Sequence, residues 1–231
     1  SSGSTPRKAG ARMIVYPDGS IEGTIGGGIM EKRVIEEARS LIETGESNLL
    51  HIDLRENRPD SVGAVCGGEL RVFIEPIGTL ARLIIFGAGH VGQTLARMAR
   101  ELQFQVVVYD DREEYARIDR FPSDVKVLCD SFERCMEILK PTSIDYIAIM
   151  TYRYTIDELL AKLSLDTSAR YVGMIGSELK CMRVKDHLEQ QGVPREKLER
   201  IHAPIGLPIG GHTPAEVAVS VLAEIVKEAN R

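Results

Sequence analysis

The segment Gly87-Ala88-Gly89-His90-Val91-Gly92 directly follows the apolar run Arg82 to Phe86 and opens a helical pattern. Glycines at this spacing permit a tight turn, close approach of a phosphate and close helix–strand packing. The helix start then offers free N–H groups and the positive end of its dipole to an anion. Asp110 ends the next apolar run, Gln105 to Tyr109, where an acid can hold ribose hydroxyls. Asp111 and Arg112 follow it, and the arginine can receive a ribose 2′-phosphate or simply neutralise its neighbours. Two uses of the turn stay open: a bound dinucleotide, or a scaffold whose crevice serves another ligand.

A second glycine corner, Gly26-Gly27-Gly28, also precedes a helical pattern. Its backbone donors can cradle an anion, or the glycines can serve a bulge that needs positive φ. Arg7 and Lys8 add cations nearby in sequence, though terminal charges are usually just solvated. Cys66-Gly67-Gly68 lies in a loop and sets a thiol beside open backbone donors. It can approach a metal or a sulfur-bearing ligand, or serve as a small buried side chain, the commoner fate of a free cysteine. Cys129 and Cys135 read as core and Cys181 as incidental in a charged helix. The five histidines lack metal-ligand spacing, so no metal site is expected, although His90 sits within the glycine turn and His202 and His212 flank one loop. GxSxG and the P-loop pattern are absent, which disfavours hydrolysis of either type.

The elements that must position these groups fall into two sets. Residues 1–76 read as a small α+β module: a hairpin across Pro17-Asp18-Gly19-Ser20, a helix with Gly45 as its C-cap, and strands at 49–54 and 70–74. Residues 77–231 alternate strand and helix, which predicts a Rossmann-like, doubly wound α/β domain of about five parallel strands. Thr213-Pro214-Ala215-Glu216 forms a capping box ahead of a C-terminal amphipathic helix.

Composition narrows the function classes. The 231 residues carry a net charge of −5 without a long basic run, so no nucleic-acid partner is expected. No apolar stretch is long enough to span a bilayer, so no membrane partner is expected either. The four cysteines form no CxxC pair and the chain opens without an apolar signal core, so a cytoplasmic location is expected.

GSTPRKAGARMIVYPDGSIEGTIGGGIMEKRVIEEA, CGGELRVFIEP, IIFGAGHVGQTLARMARELQFQVVVYDDR, GMIGSELK and IHAPIGLPIGGHTPAEVAVSVLAEIV, in that order, resemble the xanthine dehydrogenase accessory factor family of the XdhC/CoxI type. The pairing of a GTIGGG module with a GAGHVG module is far more specific than either alone. The resemblance implies a cytoplasmic maturation factor that binds the molybdenum cofactor (molybdopterin) and supports its sulfuration with a cysteine desulfurase. The product passes to a molybdenum hydroxylase client, which makes the chain a carrier more than a stand-alone enzyme. It implies cofactor contacts at Arg7, Gly26, Gly27, Gly28, Glu31, Gly67, Gly68, Gly87, Gly89, His90, Gly92, Asp110, Asp111, Arg112, Ser177 and Lys180, with Cys66 as the candidate catalytic or ligating thiol.

Two departures stand out. Where the family often reads MTH-x-H, this chain has Met150-Thr151-Tyr152-Arg153-Tyr154. Relatives also usually place a helix and a strand ahead of the segment that opens this chain, so a longer functional unit is expected. A homodimer is expected on general grounds. The alternatives to a cofactor carrier are an NAD(P)-dependent oxidoreductase and a nucleotide-sensing regulatory module, both using the GAGHVG turn.

Overall fold

The computed structural model describes residues 8–53, 69–77 and 81–230. The chain divides into two compact units, Ser1–Thr79 and Leu80–Arg231. Residues 1–7 and 54–68 lie outside the described residues, and with them Arg7, Cys66, Gly67 and Gly68.

In the first unit, β1 (Met13–Val15) and β2 (Ile21–Gly23) pair antiparallel. Helix α1 (Gly28–Thr44) ends at Gly45, whose left-handed φ of 71° returns its N–H to the Leu41 carbonyl. Strands β3 (Asn48–Asp53) and β4 (Glu69–Ile74) form a second antiparallel pair. Met30, Val34, Ala38 and Leu41 of α1 recur at helical spacing and pack with Ile52 and Ile74.

The second unit is a six-stranded parallel sheet with helices on both faces. Its strands are β5 (Arg82–Phe86), β6 (Gln105–Asp110), β7 (Lys126–Cys129), β8 (Tyr146–Ile149), β9 (Tyr171–Met174) and β10 (Ile201–His202). They lie in the order β10-β9-β8-β5-β6-β7, the dinucleotide-fold arrangement with its switch point between β5 and β8. Side chains alternate through the sheet. Leu83 and Ile85 join one core with Val106, Val108 and Ala148; Ile84 and Phe86 join the other with Val107, Tyr109 and Ile149. Helices α2 (His90–Ala99) and α7 (Pro214–Ala229) cover the first face. Helices α3 (Cys135–Leu139), α4 (Tyr154–Leu165) and α5 (Glu178–Gln190) cover the second. A short α6 (Arg195–Leu198) precedes β10.

The sequence pattern differs from this in four places. The link from β6 to β7 carries only a 3₁₀ turn, Ile118–Arg120, and no α-helix; the charged segment offers few apolar side chains before Pro122. The sheet gains a sixth strand of two residues, too short to leave a periodic signal. Cys129, expected in the core, is exposed at the last position of the edge strand β7. Cys181 is buried on the inner face of α5 with Val184 and Leu188.

The segment after β10 is fixed by one carboxylate. Glu224 of α7 accepts hydrogen bonds from the Tyr171 hydroxyl at 2.5 Å and the Gly206 N–H at 2.8 Å, and lies 3.3 Å from His202 Nδ1. Burial pushes its pKa up, but His202, Tyr171 and Gly206 outweigh that and bring it to about 2. The stability it contributes is therefore complete above the ordinary value of 4.5 and is lost as pH falls toward 2. Glu224→Gln is expected to lower the melting temperature at pH 7, with the difference from wild type shrinking through that acid range. Thermal melts at several pH values measure it, and a pH-independent difference would refute it.

Candidate functional site

The glycine turn is built by contacts that reject side chains at two of its three glycines. Gly87 has φ +116°, and a Cβ there would lie 2.3 Å from the Met150 carbonyl oxygen. A Cβ on Gly92 would lie 1.9 Å from the Gly87 carbonyl oxygen. Both glycines are demanded by packing. Gly89 differs: it caps α2 in an extended conformation, and among the described residues a Cβ there would meet nothing within 4 Å. Its bare backbone keeps the approach to the N-terminus of α2 open. His90 is the first residue of that helix and is exposed.

Asp110, fully buried at the end of β6, ties this turn to its surroundings. Oδ2 accepts from the Ala88 N–H at 2.7 Å and from Arg112 Nη2 at 2.9 Å. Oδ1 accepts from Arg112 Nε at 2.8 Å and from the Arg112 N–H at 3.1 Å. Burial alone would raise its pKa; the bonds from Arg112 and Ala88 hold it below the ordinary carboxylate range. The oxygens that the sequence offered to a ribose are thus engaged within the protein.

Arg112 is held as firmly. Its guanidinium carbon lies 3.7 Å from the Tyr115 ring centroid and 4.1 Å from that of Tyr152. Tyr152 reaches over from the loop after β8, and its hydroxyl donates to Asp111 Oδ2 at 3.1 Å. The tyrosine noted as a departure from the family pattern therefore joins the loops on either side of the glycine turn.

Lys180 and Ser177 stand at the start of α5. The Ser177 hydroxyl accepts from the Lys180 N–H and caps the helix. Lys180 Nζ donates to Asp157 Oδ2 at 2.6 Å and to the Ile175 carbonyl at 3.0 Å. Asp157 is fully buried and also accepts from the N–H and hydroxyl of Thr151. Sequence reasoning missed Asp157. Its signal was an acid in the first turn of a helix that follows a buried strand.

In the first unit, Glu31 fills the other glycine corner with the chain's own anion. Its Oε1 accepts from the Thr24 hydroxyl and from the N–H groups of Ile25 and Gly26 at 2.9 and 3.2 Å. The Thr24 bond chiefly lowers its pKa, burial opposes it, and the Gly27, Ile25 and Gly26 N–H groups reinforce it. Gly27 and Gly28 both have positive φ, and among the described residues a Cβ on either would meet nothing within 4 Å.

Among the described residues, no three of His, Cys, Asp and Glu gather as a metal site, and no helix is long and apolar enough to cross a membrane. A groove of about 630 Å³ beside α5 and α6 is lined by Glu178, Lys185, Asp186 and Arg195, among others, and by none of the candidate residues.

Asp110→Ala would leave the Ala88 N–H and a paired guanidinium without their acceptor, at an expected cost of about 3–5 kcal/mol. Asp110→Asn should cost less, since its amide oxygen can still accept from Ala88. Denaturant midpoints at pH 7 compare the two, and wild-type midpoints in both would show that the turn stands without the carboxylate.

Comparison with known proteins places these features in a family. A family model described as the XdhC Rossmann domain matches residues 83–225, and one described as the XdhC and CoxI family matches residues 1–53. The uncharacterized protein YqeB of Escherichia coli (strain K12) is 38% identical over all 231 residues, which cover 42% of its own length. A probable xanthine dehydrogenase subunit from Bacillus subtilis (strain 168) is 31% identical over 160 residues, 69% of this chain and 46% of that one. The chain thus spans less than half the length of either relative. A crystal structure of a xanthine dehydrogenase from Bacillus halodurans shares the fold, with a TM-score of 0.59 at 19% identity over 99% of this chain and 89% of that one. By its motifs, its sheet order and these matches, the chain belongs to the XdhC and CoxI family.

Proposed function

We propose that this chain is an accessory protein that binds the molybdenum cofactor through its phosphate at the N-terminus of α2. In this reading it supports sulfuration of the cofactor with a cysteine desulfurase and delivers it to a xanthine dehydrogenase-type hydroxylase in the cytoplasm, working as a homodimer. The name of the Bacillus subtilis relative supports the hydroxylase link.

The observation that carries the reading is Gly89. Packing explains Gly87 and Gly92, whereas among the described residues no atom lies within 4 Å of where a Cβ on Gly89 would go. A phosphate fits there against the N–H groups of the first turn, which have no partners within the helix. His90, exposed beside that opening, would contact the bound group. When bound, the cofactor supplies a molybdenum centre whose oxo ligand can be exchanged for sulfido. The chain's part is to hold the phosphate, orient the pterin and shield it. Arg112 and Lys180, each neutralised by a buried carboxylate, shape the crevice and add little free positive charge. In the first unit the Gly26 corner already holds Glu31, which leaves Gly27 and Gly28 as its open positions.

Anaerobic titration with free molybdenum cofactor, read by pterin fluorescence after oxidation, tests this. Wild type should bind near one equivalent, and Gly89→Val should bind at least about tenfold more weakly while its melting temperature stays close to wild type. No binding by folded wild type would sink the reading. Cys66→Ala in the same titration decides whether that thiol belongs to the site: lost binding places it there, retained binding leaves it outside.

A further inference from the structure

In dinucleotide folds the adenosine half lies over the second strand of the sheet, its ribose on the carboxylate that ends that strand. The loops after the second and fourth strands approach each other around that position. Here these are the loops after β6 and β8, and the chain's own side chains join them. Asp110 is fully buried and bonded to Ala88 and Arg112. The Arg112 guanidinium stacks with Tyr115 and Tyr152, and Tyr152 closes the bridge through its hydroxyl to Asp111.

We propose that the Arg112–Tyr152 bridge is the specificity element of the crevice. It fills the adenosine half, so the site takes a phosphomonoester and excludes NAD(H) and NADP(H). A ribose would have to displace Arg112 from Asp110, exchanging charge-assisted bonds for neutral ones. An adenine would have to displace a tyrosine ring from the guanidinium, because the two rings at 3.7 and 4.1 Å already occupy it. A 2′-phosphate would find Arg112 Nε and Nη2 already committed to a carboxylate. The phosphate position beside Gly89 is left free by all three, so the bridge selects against adenosine without closing the site.

The inference rests on the reading of this crevice as a phosphate site, and one set of titrations separates the two. Wild type, Tyr152→Ala, Tyr152→Phe and the double variant Arg112→Ser/Tyr152→Ala are titrated with NADH and NADPH by nucleotide fluorescence, and with free molybdenum cofactor in parallel. Tyr152 is 45% exposed, so its replacement spares the core; the melting temperature of each variant confirms folding. Tyr152→Ala should bind NADH at least about tenfold more tightly than wild type. The double variant, which also frees Asp110, should bind it more tightly still. Tyr152→Phe keeps the ring on the guanidinium and loses only the hydroxyl bond to Asp111, so its gain should be well below that of Tyr152→Ala.

Wild type that binds NADH or NADPH as tightly as the variants overturns the inference. So does the absence of any gain in folded Tyr152→Ala and the double variant, or an equal gain in Tyr152→Phe. Failure of wild type to bind the molybdenum cofactor, alongside a gain of NADH binding in the variants, sinks the proposed function and leaves the bridge as the specificity element.

Discussion

A single buried carboxylate organises the glycine-turn end of the Rossmann unit. Asp110 has no exposed surface, yet its pKa lies below the ordinary range, because each oxygen accepts hydrogen bonds from groups that must themselves be fixed. One is the Ala88 N–H, inside the glycine turn; the others belong to Arg112. A charge removed from water costs several kcal/mol unless it is compensated in this way. The requirement runs in both directions. The turn gives Asp110 a donor, and Asp110 gives the turn its shape. Arg112, so held, becomes a fixed platform for Tyr115 and Tyr152.

The same arrangement recurs elsewhere in the chain. Asp157 holds Lys180 and Thr151, Glu224 holds Tyr171 and Gly206, and Glu31 holds the corner at Ile25 and Gly26. Each acid converts a loop or helix start into a defined backbone. Groups that resemble free binding functions in sequence are, for the most part, already partnered. Among the described residues, open space remains at the backbone of Gly89 at one helix start, with the exposed His90 beside it, and of Gly27 and Gly28 at another.

Much of the fold is legible in the sequence because its signals are local. Leu83–Phe86 is an unbroken apolar run within β5, Gly45 ends α1 and Thr213 begins α7 with a capping box, and each stands where its chemistry places it. Elements that depend on tertiary context are not legible in this way. The two-residue strand β10 exists because β9 offers it an edge. Cys181 is buried because α5 lies on the sheet, although its neighbours in sequence are charged. For the site, the glycine spacing and the acid after β6 are readable. The direction in which that acid points is not, since Asp110 could equally have faced a ligand. Tyr152 could be read only as a departure from pattern; its partners, Asp111 and Arg112, lie forty positions away and meet it through the sheet order.

The sheet order also bears on how this unit comes into being. One face of the sheet is covered jointly by α2 and α7, with Leu95, Ala96 and Ala99 packed among Ala218, Val221, Leu222 and Ile225. The first of these helices follows the first strand of the unit, and the second is its last element. The apolar surface beneath them is fully covered only once α7 has docked beside α2. Closing so long a loop makes the step slow relative to local structure. Helix α7 is therefore the element that completes this core: without it, the faces of Leu95, Ala96 and Ala99 that meet Ala218, Val221, Leu222 and Ile225 would be bare aliphatic surface.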